Sequence, residues 1–222
     1  MRIRITFTKT GPLIYIGNLD LYTMWERAAR RAGLNLTYSQ GFHPQPKIHL
    51  AAPLPLGFSS RCEVLDMRLN EELDLAGLPA RLNAVLPEGI RVLAAERVEE
   101  AAPAIQTRVL AAEYEVRLRG DIVVSDLGRR IEGLLAATSL PRERRGRSYD
   151  LRPLIEALQL ATTDSDGRPC IRMRLKAQEG ATGRPDEVLD SLGIRREEAR
   201  VERTALRFLA QPVESGINQG GP

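Results

Sequence analysis

The residues best equipped for chemistry lie in one ten-residue stretch, Tyr38-Ser-Gln-Gly-Phe-His-Pro-Gln-Pro-Lys47. Gln40, His43, Gln45 and Lys47 bring donors, acceptors and positive charge, while Tyr38 and Phe42 bring flat faces for stacking. Pro44 and Pro46 fix their own φ and turn His43 and Gln45 away from helix. Gly41 permits a turn or the close approach of a ligand. A stiff polar loop of this kind can present His43 and Lys47 to a phosphate or nucleotide. It can equally be a connector whose Phe42 plugs the core.

A second set is basic. Arg142, Arg144, Arg145 and Arg147 crowd the stretch PRERRGR, and Arg172, Arg174 and Lys176 alternate further on. Alternation in a strand places the last three on one sheet face. A positive face beside a positive loop suits RNA held through its phosphates. The plainer alternative is a solvated face balanced by Glu143 and Glu179. The aromatic strand pattern of an RNA-recognition motif is absent.

Other chemistries find less support. His43, His49 and Cys62 match no compact zinc spacing, so no metal is expected. With two cysteines the chain has no ligand set for an iron–sulfur cluster of its own. Asp20, Glu26, Glu63 and Asp66 form no catalytic dyad by spacing. Asp20 suits a helix start, and Glu63 and Asp66 fall on an alternating strand where solvation is expected. His43 is a candidate for acid–base work with no partner fixed, and a lone acid near the loop stays open.

The 222 residues are 43% hydrophobic and 27% charged, with a net charge of +3 carried by arginine more than lysine. That is a globular composition, long enough for one large domain or two small ones. No apolar run approaches the ~20 residues of a membrane span, and MRIRITF lacks the apolar core of a signal peptide. Two cysteines far apart fit a reducing cytoplasm, the expected location.

The elements that must position these residues follow from periodicity. Residues 2–8 alternate as a strand, and Gly11-Pro12 breaks it. Asn18 is placed to cap a helix carrying Leu21, Trp25, Ala28 and Ala29, which Gly33 ends. A short strand begins at Ile48. Residues 61–69 alternate imperfectly, as a bulged strand would. A helix starts near Leu78, a strand covers 90–98, and 99–106 reads as a connector. The order β-α-β-β-α-β is the ferredoxin-like arrangement.

The second half repeats it more weakly. A strand over 107–119 precedes a helix capped by Ser125, then the basic loop 141–147. SYDLRPL starts a strand and IEALQL suggests a short helix. After the turn DSDGRP come a strand from Cys170, a helix opened by Arg184-Pro185-Asp186, and a strand over 201–209. The expected fold is α+β, with two tandem ferredoxin-like (βαββαβ) halves with antiparallel sheets. They span 1–98 and 107–210, with a disordered tail at 211–222.

The runs FTKTGPLIYIGNLDL, ERAARRAGLNLTYSQGFHPQPKI and APLPLGFSSRCEVLDMRL resemble a bacterial radical-SAM-linked domain family of unknown function. RGRSYDLRPLI and RPDEVLDSLGI extend the resemblance over nearly the whole chain. It implies a radical-SAM protein as partner, itself carrying an iron–sulfur cluster and S-adenosylmethionine, and no cofactor on this chain. RLNAVLPEGIRVLAAERV is more loosely similar to tRNA pseudouridine synthases, which also pair ferredoxin-like halves. The loop YSQGFHPQPK lacks their catalytic aspartate, so their chemistry is not implied. The expectation is an auxiliary RNA-binding module for tRNA or rRNA, away from membranes. The alternatives are a docking module using its sheet or the APLPLGF segment, and an RNA-modifying or RNA-cleaving enzyme using His43.

Overall fold

A computed structural model describes residues 1–119, 124–144, 146–161 and 170–209. Its first unit runs β1 (Arg2–Lys9), α1 (Asn18–Arg31), β2 (Ile48–Leu50), β3 (Ser59–Arg68), α2 (Leu78–Asn83) and β4 (Ile90–Val98). The strands lie side by side in the order β4, β1, β3, β2, all antiparallel. The alternation of β1 sends Ile3, Ile5 and Phe7 to one face, where each is fully buried. On α1, Leu21, Trp25, Ala28 and Ala29 are buried, at helical spacing. The edge of one ring meets the face of the other between Phe7 and Trp25, centroids 4.9 Å apart. Leu65 and Met67 from β3 and Leu78 and Leu82 from α2 complete this core.

The second unit repeats the plan. It runs β5 (Val109–Leu118), α3 (Val124–Ala136), a hairpin of β6 (Pro141–Arg144) and β7 (Arg147–Asp150), β8 (Ile155–Ala161), β9 (Cys170–Gln178), the two-residue β10 (Ala181–Thr182), α4 (Pro185–Ser191) and β11 (Ala199–Phe208). Here the order is β11, β5, β9, β8, the same sequence of positions as in the first unit. Ala112, Tyr114, Val116 and Leu118 face Leu127, Ile131 and Leu134 of α3 and Val188 and Leu189 of α4.

The α+β, ferredoxin-like architecture is therefore present, but the two sheets are fused. β11 pairs in parallel with β3 at Glu202–Ser59 and Arg203–Ser60, giving one nine-stranded sheet. β3 divides one edge between two neighbours: its start pairs with β11, and Leu65 to Met67 pair with β2. At the fork sits Arg203, 2% exposed. It binds both carboxylate oxygens of Glu63 at 2.9 and 3.1 Å, the carbonyls of Ala52 and Pro53 at 3.2 and 2.8 Å, and the Tyr114 hydroxyl at 3.3 Å. Where β2 and β11 diverge, backbone carbonyls lose their ladder partners, and one guanidinium fork replaces them.

Several local expectations are corrected. Gly17, not Asn18, holds the extended N-cap position of α1, and no side chain caps that end. Ser125 lies inside α3 rather than before it. IEALQL is a strand, β8, and Pro141–Arg144 and Arg147–Asp150 pair as a hairpin in place of the expected loop. Glu63 and Asp66 are each 2% exposed, not solvated. Asp66 accepts from Arg2 at 2.6 Å and Arg4 at 2.8 Å across β1 and β3. The bulge does occur: two steps of β1, Phe7 to Lys9, face three of β3, Glu63 to Ser60. In APLPLGF, Ala52, Leu54 and Phe58 are buried in the joint, while Pro53 and Leu56 stay exposed. The turn DSDGRP, Arg145 and the tail at 211–222 lie outside the described residues.

Candidate nucleic-acid interface

The loop from Tyr38 to Lys47 is a closed, projecting finger. Tyr38 and Pro46 form an isolated bridge. The Ser39 amide donates to the Gln45 carbonyl at 2.8 Å, and the Gln45 amide returns to Ser39 Oγ at 3.0 Å. Lys47 N–H donates to the Thr37 carbonyl at 2.8 Å. Gly41 adopts φ +126°, a conformation that L side chains rarely reach. Gln40 through Gln45 are exposed, and Phe42 stands wholly in solvent at 102% relative exposure. Phe42 is thus no core plug. Tyr38 instead packs against the first core and donates its hydroxyl to Glu26 at 2.9 Å, so its ring is turned toward the core. His43 is exposed, and no hydrogen bond ties it to a general acid or base among the described residues. Lys47 sits at the root of the finger, well behind Phe42.

The basic residues of the second unit are mostly neutralised within the fold. Arg142 donates to Ser191 Oγ at 2.5 Å and lies 3.5 Å from Asp190. Arg144 grips Glu187 at 2.7 and 2.8 Å and covers the ring of Tyr149. Burial first, and then Glu187, pushes the Tyr149 phenol up to about 12. These contacts pin the hairpin onto α4. On β9, Arg174 meets Glu113 at 2.9 Å and Arg172 lies 3.7 Å from Glu115, both acids being cross-strand neighbours on β5. Arg207 shares Glu113 at 2.8 Å. The expectation of an unbalanced positive face is therefore corrected for Arg172 and Arg174. Arg147 remains exposed and Lys176 half-buried.

A different groove gathers unpaired charge. It lies where β1 and β5 end and β3 and β11 begin, has a volume of about 820 Å³, and is walled by both units. Arg119, Arg196 and Arg200 line it, together with Thr10, Tyr15 and Leu56. Tyr15 is 72% exposed and Leu56 60%. Its two acids are engaged elsewhere: Glu197 lies 3.5 Å from Arg195 and Glu202 3.7 Å from Arg61. No carboxylate among the described residues lies within ion-pair distance of the three arginines. Arg196 is fixed by the Gly57 and Ala199 carbonyls at 2.6 and 3.0 Å and stacks 4.4 Å over Phe58. Partial burial holds its pKa below the usual arginine value, against the pull of Asp186. These residues carry no signature in the sequence. Arg196 and Arg200 sit in IRREEARVERT among acids, and Arg119 is far away in the chain; strand pairing alone unites them.

Among the described residues no three metal-binding side chains cluster. Burial pushes the Cys62 thiol up to about 11, so it is a poor nucleophile near neutrality. No helix among the described residues is long and apolar enough to cross a membrane.

A bacterial family described as "Uncharacterized protein conserved in bacteria" (DUF2344) matches residues 2–185. No curated protein matches the sequence significantly. Among solved structures, a chain of a Cbf5-Nop10-Gar1 complex is similar at 11% identity and a TM-score of 0.49. The alignment covers 92% of this chain but 48% of that one, so this chain spans about half its length. The small subunit of acetolactate synthase from Thermotoga maritima is similar at 10% identity, covering 94% and 98% of the two chains at a TM-score of 0.26. Likenesses at this level say nothing about activity.

Proposed function

This chain belongs to the DUF2344 family of bacterial proteins, and from that premise we propose that it is an auxiliary RNA-binding module serving a partner enzyme. The carrying observation is the groove between the two units, where Arg119, Arg196 and Arg200 stand without carboxylate partners among the described residues, beside exposed Tyr15. Guanidinium groups bind phosphate oxygens in forked geometry, and an exposed phenol offers a base a stacking face. The groove is formed by both units, so a structured RNA held there would bridge them. The finger carrying Gln40, Phe42, His43 and Gln45 supplies a second, acid-free contact. The partner, in line with the radical-SAM-linked family that the sequence resembles, is a radical-SAM protein acting on tRNA or rRNA.

The test is RNA affinity against salt, measured by fluorescence anisotropy on protein stripped of nucleic acid. Each phosphate contact adds roughly 0.7–0.9 to the slope of log affinity against log salt. Replacing Arg119→Ala and Arg200→Ala together should flatten that slope by about 1.4–1.8 with the fold intact. Arg196 is left in place because it also binds the Gly57 carbonyl. An unchanged slope in the double variant would remove the groove from the reading, and no salt-dependent binding at all would remove the RNA.

A second reading is protein docking through the finger, favoured by the complete exposure of Phe42. Co-purification with the radical-SAM protein that survives nuclease and is lost in Phe42→Ser would support it over the first.

A further inference from the structure

At the far end of β1 from the groove, the helix-free face of the first unit holds a small notch of about 140 Å³. Arg2, Lys47, His49, Asp66 and Arg68 line it, and the connector covers it with Ala102, Ala104, Ile105 and Gln106. The cover is fastened, since Arg2 donates to the carbonyls of Ala102 at 2.5 Å and Pro103 at 2.8 Å.

Strand register makes this notch unusual. Arg2 lies opposite Arg68, and the Arg68 amide donates to the Lys47 carbonyl at 3.0 Å. Three cations thus stand in one row across three strands. The next row holds His49 opposite Asp66, and Asp66 opposite Arg4. Like charges abreast in a sheet repel unless something neutralises them. Asp66 is consumed by Arg2 and Arg4 at 2.6 and 2.8 Å. Arg68 has an exposed partner, Glu100, at 2.5 Å. The ammonium of Lys47 has no hydrogen bond or ion pair among the described residues, and the His49 imidazole has none either. Both converge on the same notch.

We propose that this notch is an oxyanion site that takes the terminal phosphate of a phosphate monoester, with Lys47, His49 and Arg68 as its donors. The volume admits a phosphoryl group and excludes a nucleoside. A monoester can turn three free oxygens into a notch of this size, whereas an internal phosphodiester offers two and must enter and leave along its chain. The free nucleotide and the 5′-phosphorylated end of RNA share this chemistry. The site is independent of the RNA groove, because β1 separates the two.

His49 reports on occupancy. Its pKa is held below the usual histidine value by burial first, and by Arg2, Arg68 and Lys47, with Asp66 opposing them. An anion seated among these groups must raise it. The protein has two histidines, and His43 in the exposed finger serves as internal control. The experiment follows both imidazole signals by NMR through a pH titration of the full chain. It is done alone, then with inorganic phosphate, a nucleoside 5′-monophosphate, and matched oligoribonucleotides bearing a 5′-phosphate or a 5′-hydroxyl, all at constant ionic strength.

The midpoint of His49 should rise by about one pH unit with phosphate and with whichever monoester is the ligand, while His43 stays still. The Lys47→Gln variant, which breaks no bond of the fold, should lose most of that response. A response to the monophosphate or to the 5′-phosphate oligonucleotide names the source. Equal movement of His49 with the 5′-hydroxyl oligonucleotide, or none with any phosphate, would overturn the site. The Arg119→Ala, Arg200→Ala variant should keep the His49 response, so failure of the groove and failure of the notch are told apart.

Discussion

Replacing Glu63→Gln should destabilise the joint between the two units more than any comparably small change elsewhere. Gln keeps the shape and one acceptor but leaves Arg203 charged and 2% exposed, with carbonyls and a phenol as its remaining partners. Opposite charges at the observed 2.9 Å attract by roughly 5–6 kcal/mol at an effective dielectric of 20. Removing one member of a buried pair typically costs about 3–5 kcal/mol, and that is the expected loss. Tyr114→Phe, which removes only the 3.3 Å hydroxyl contact, should cost about 1 kcal/mol. Urea unfolding at pH 7 reads both. The sole tryptophan, Trp25, is fully buried in the first core and reports that unit, while circular dichroism reports the whole sheet. A 3–5 kcal/mol loss would lower the urea midpoint by roughly 1–2 M. It should also pull the two probes apart, because the pair sits at the fork where β3 and β11 share only two register positions. A loss below about 1 kcal/mol with coincident transitions would refute the reasoning and mean that water reaches the pair.

Lys9 is 1% exposed, and among the described residues its ammonium has one long bond, to the Ile16 carbonyl at 3.3 Å. Burial lowers its pKa, against the pull of Glu63. The unfolded chain therefore binds its proton more tightly, so stability should rise as pH climbs from the folded pKa toward the ordinary lysine value, and Lys9→Met should abolish that part of the rise in denaturation series run from pH 7 to 10.5. Phe42→Ala should leave the unfolding midpoint within about 0.5 kcal/mol of the parent, since the ring touches nothing; a loss of about 3–5 kcal/mol would mean that it is a core residue after all. Gly89 adopts φ +98°, and a Cβ there would lie 2.6 Å from the Thr10 carbonyl oxygen. Gly89→Ala should accordingly cost at least about 1–3 kcal/mol in thermal or urea unfolding, and no measurable loss would show that the turn rearranges freely.

Legibility followed the period of the apolar residues. Where burial is one-sided and the strand regular, as in β1, or the helix two turns or longer, as in α1, the pattern can be read directly. β8 could not be, because a register irregularity between Ile155 and Ala157 puts its buried residues at Ile155 and Leu158, a helix-like spacing. The β6–β7 hairpin has no buried face to announce it, and its charges are held by α4, about 40 residues away. The finger from Tyr38 to Lys47 was recognisable as a stiff polar element from its glycine and prolines. That Tyr38 turns inward while Phe42 stands in solvent was not, since both are aromatic and their fates depend on Glu26 and the first core.

By itself the amino-acid sequence determined the first βαββαβ unit, the general plan of the second, the faces of the regular strands and helices, and the position of the finger, because these rest on local spacing and backbone preference. The fusion of the units, the fork closed by Glu63 and Arg203, the neutralisation of Arg174 by Glu113, and the grouping of Arg119, Arg196 and Arg200 were decided only in the tertiary structure. Electrostatic partners are chosen by proximity across strands, and the residues of the Glu63–Arg203 pair are 140 apart in the chain. Nothing in the spacing of charges along a polypeptide records which of them a sheet will place side by side.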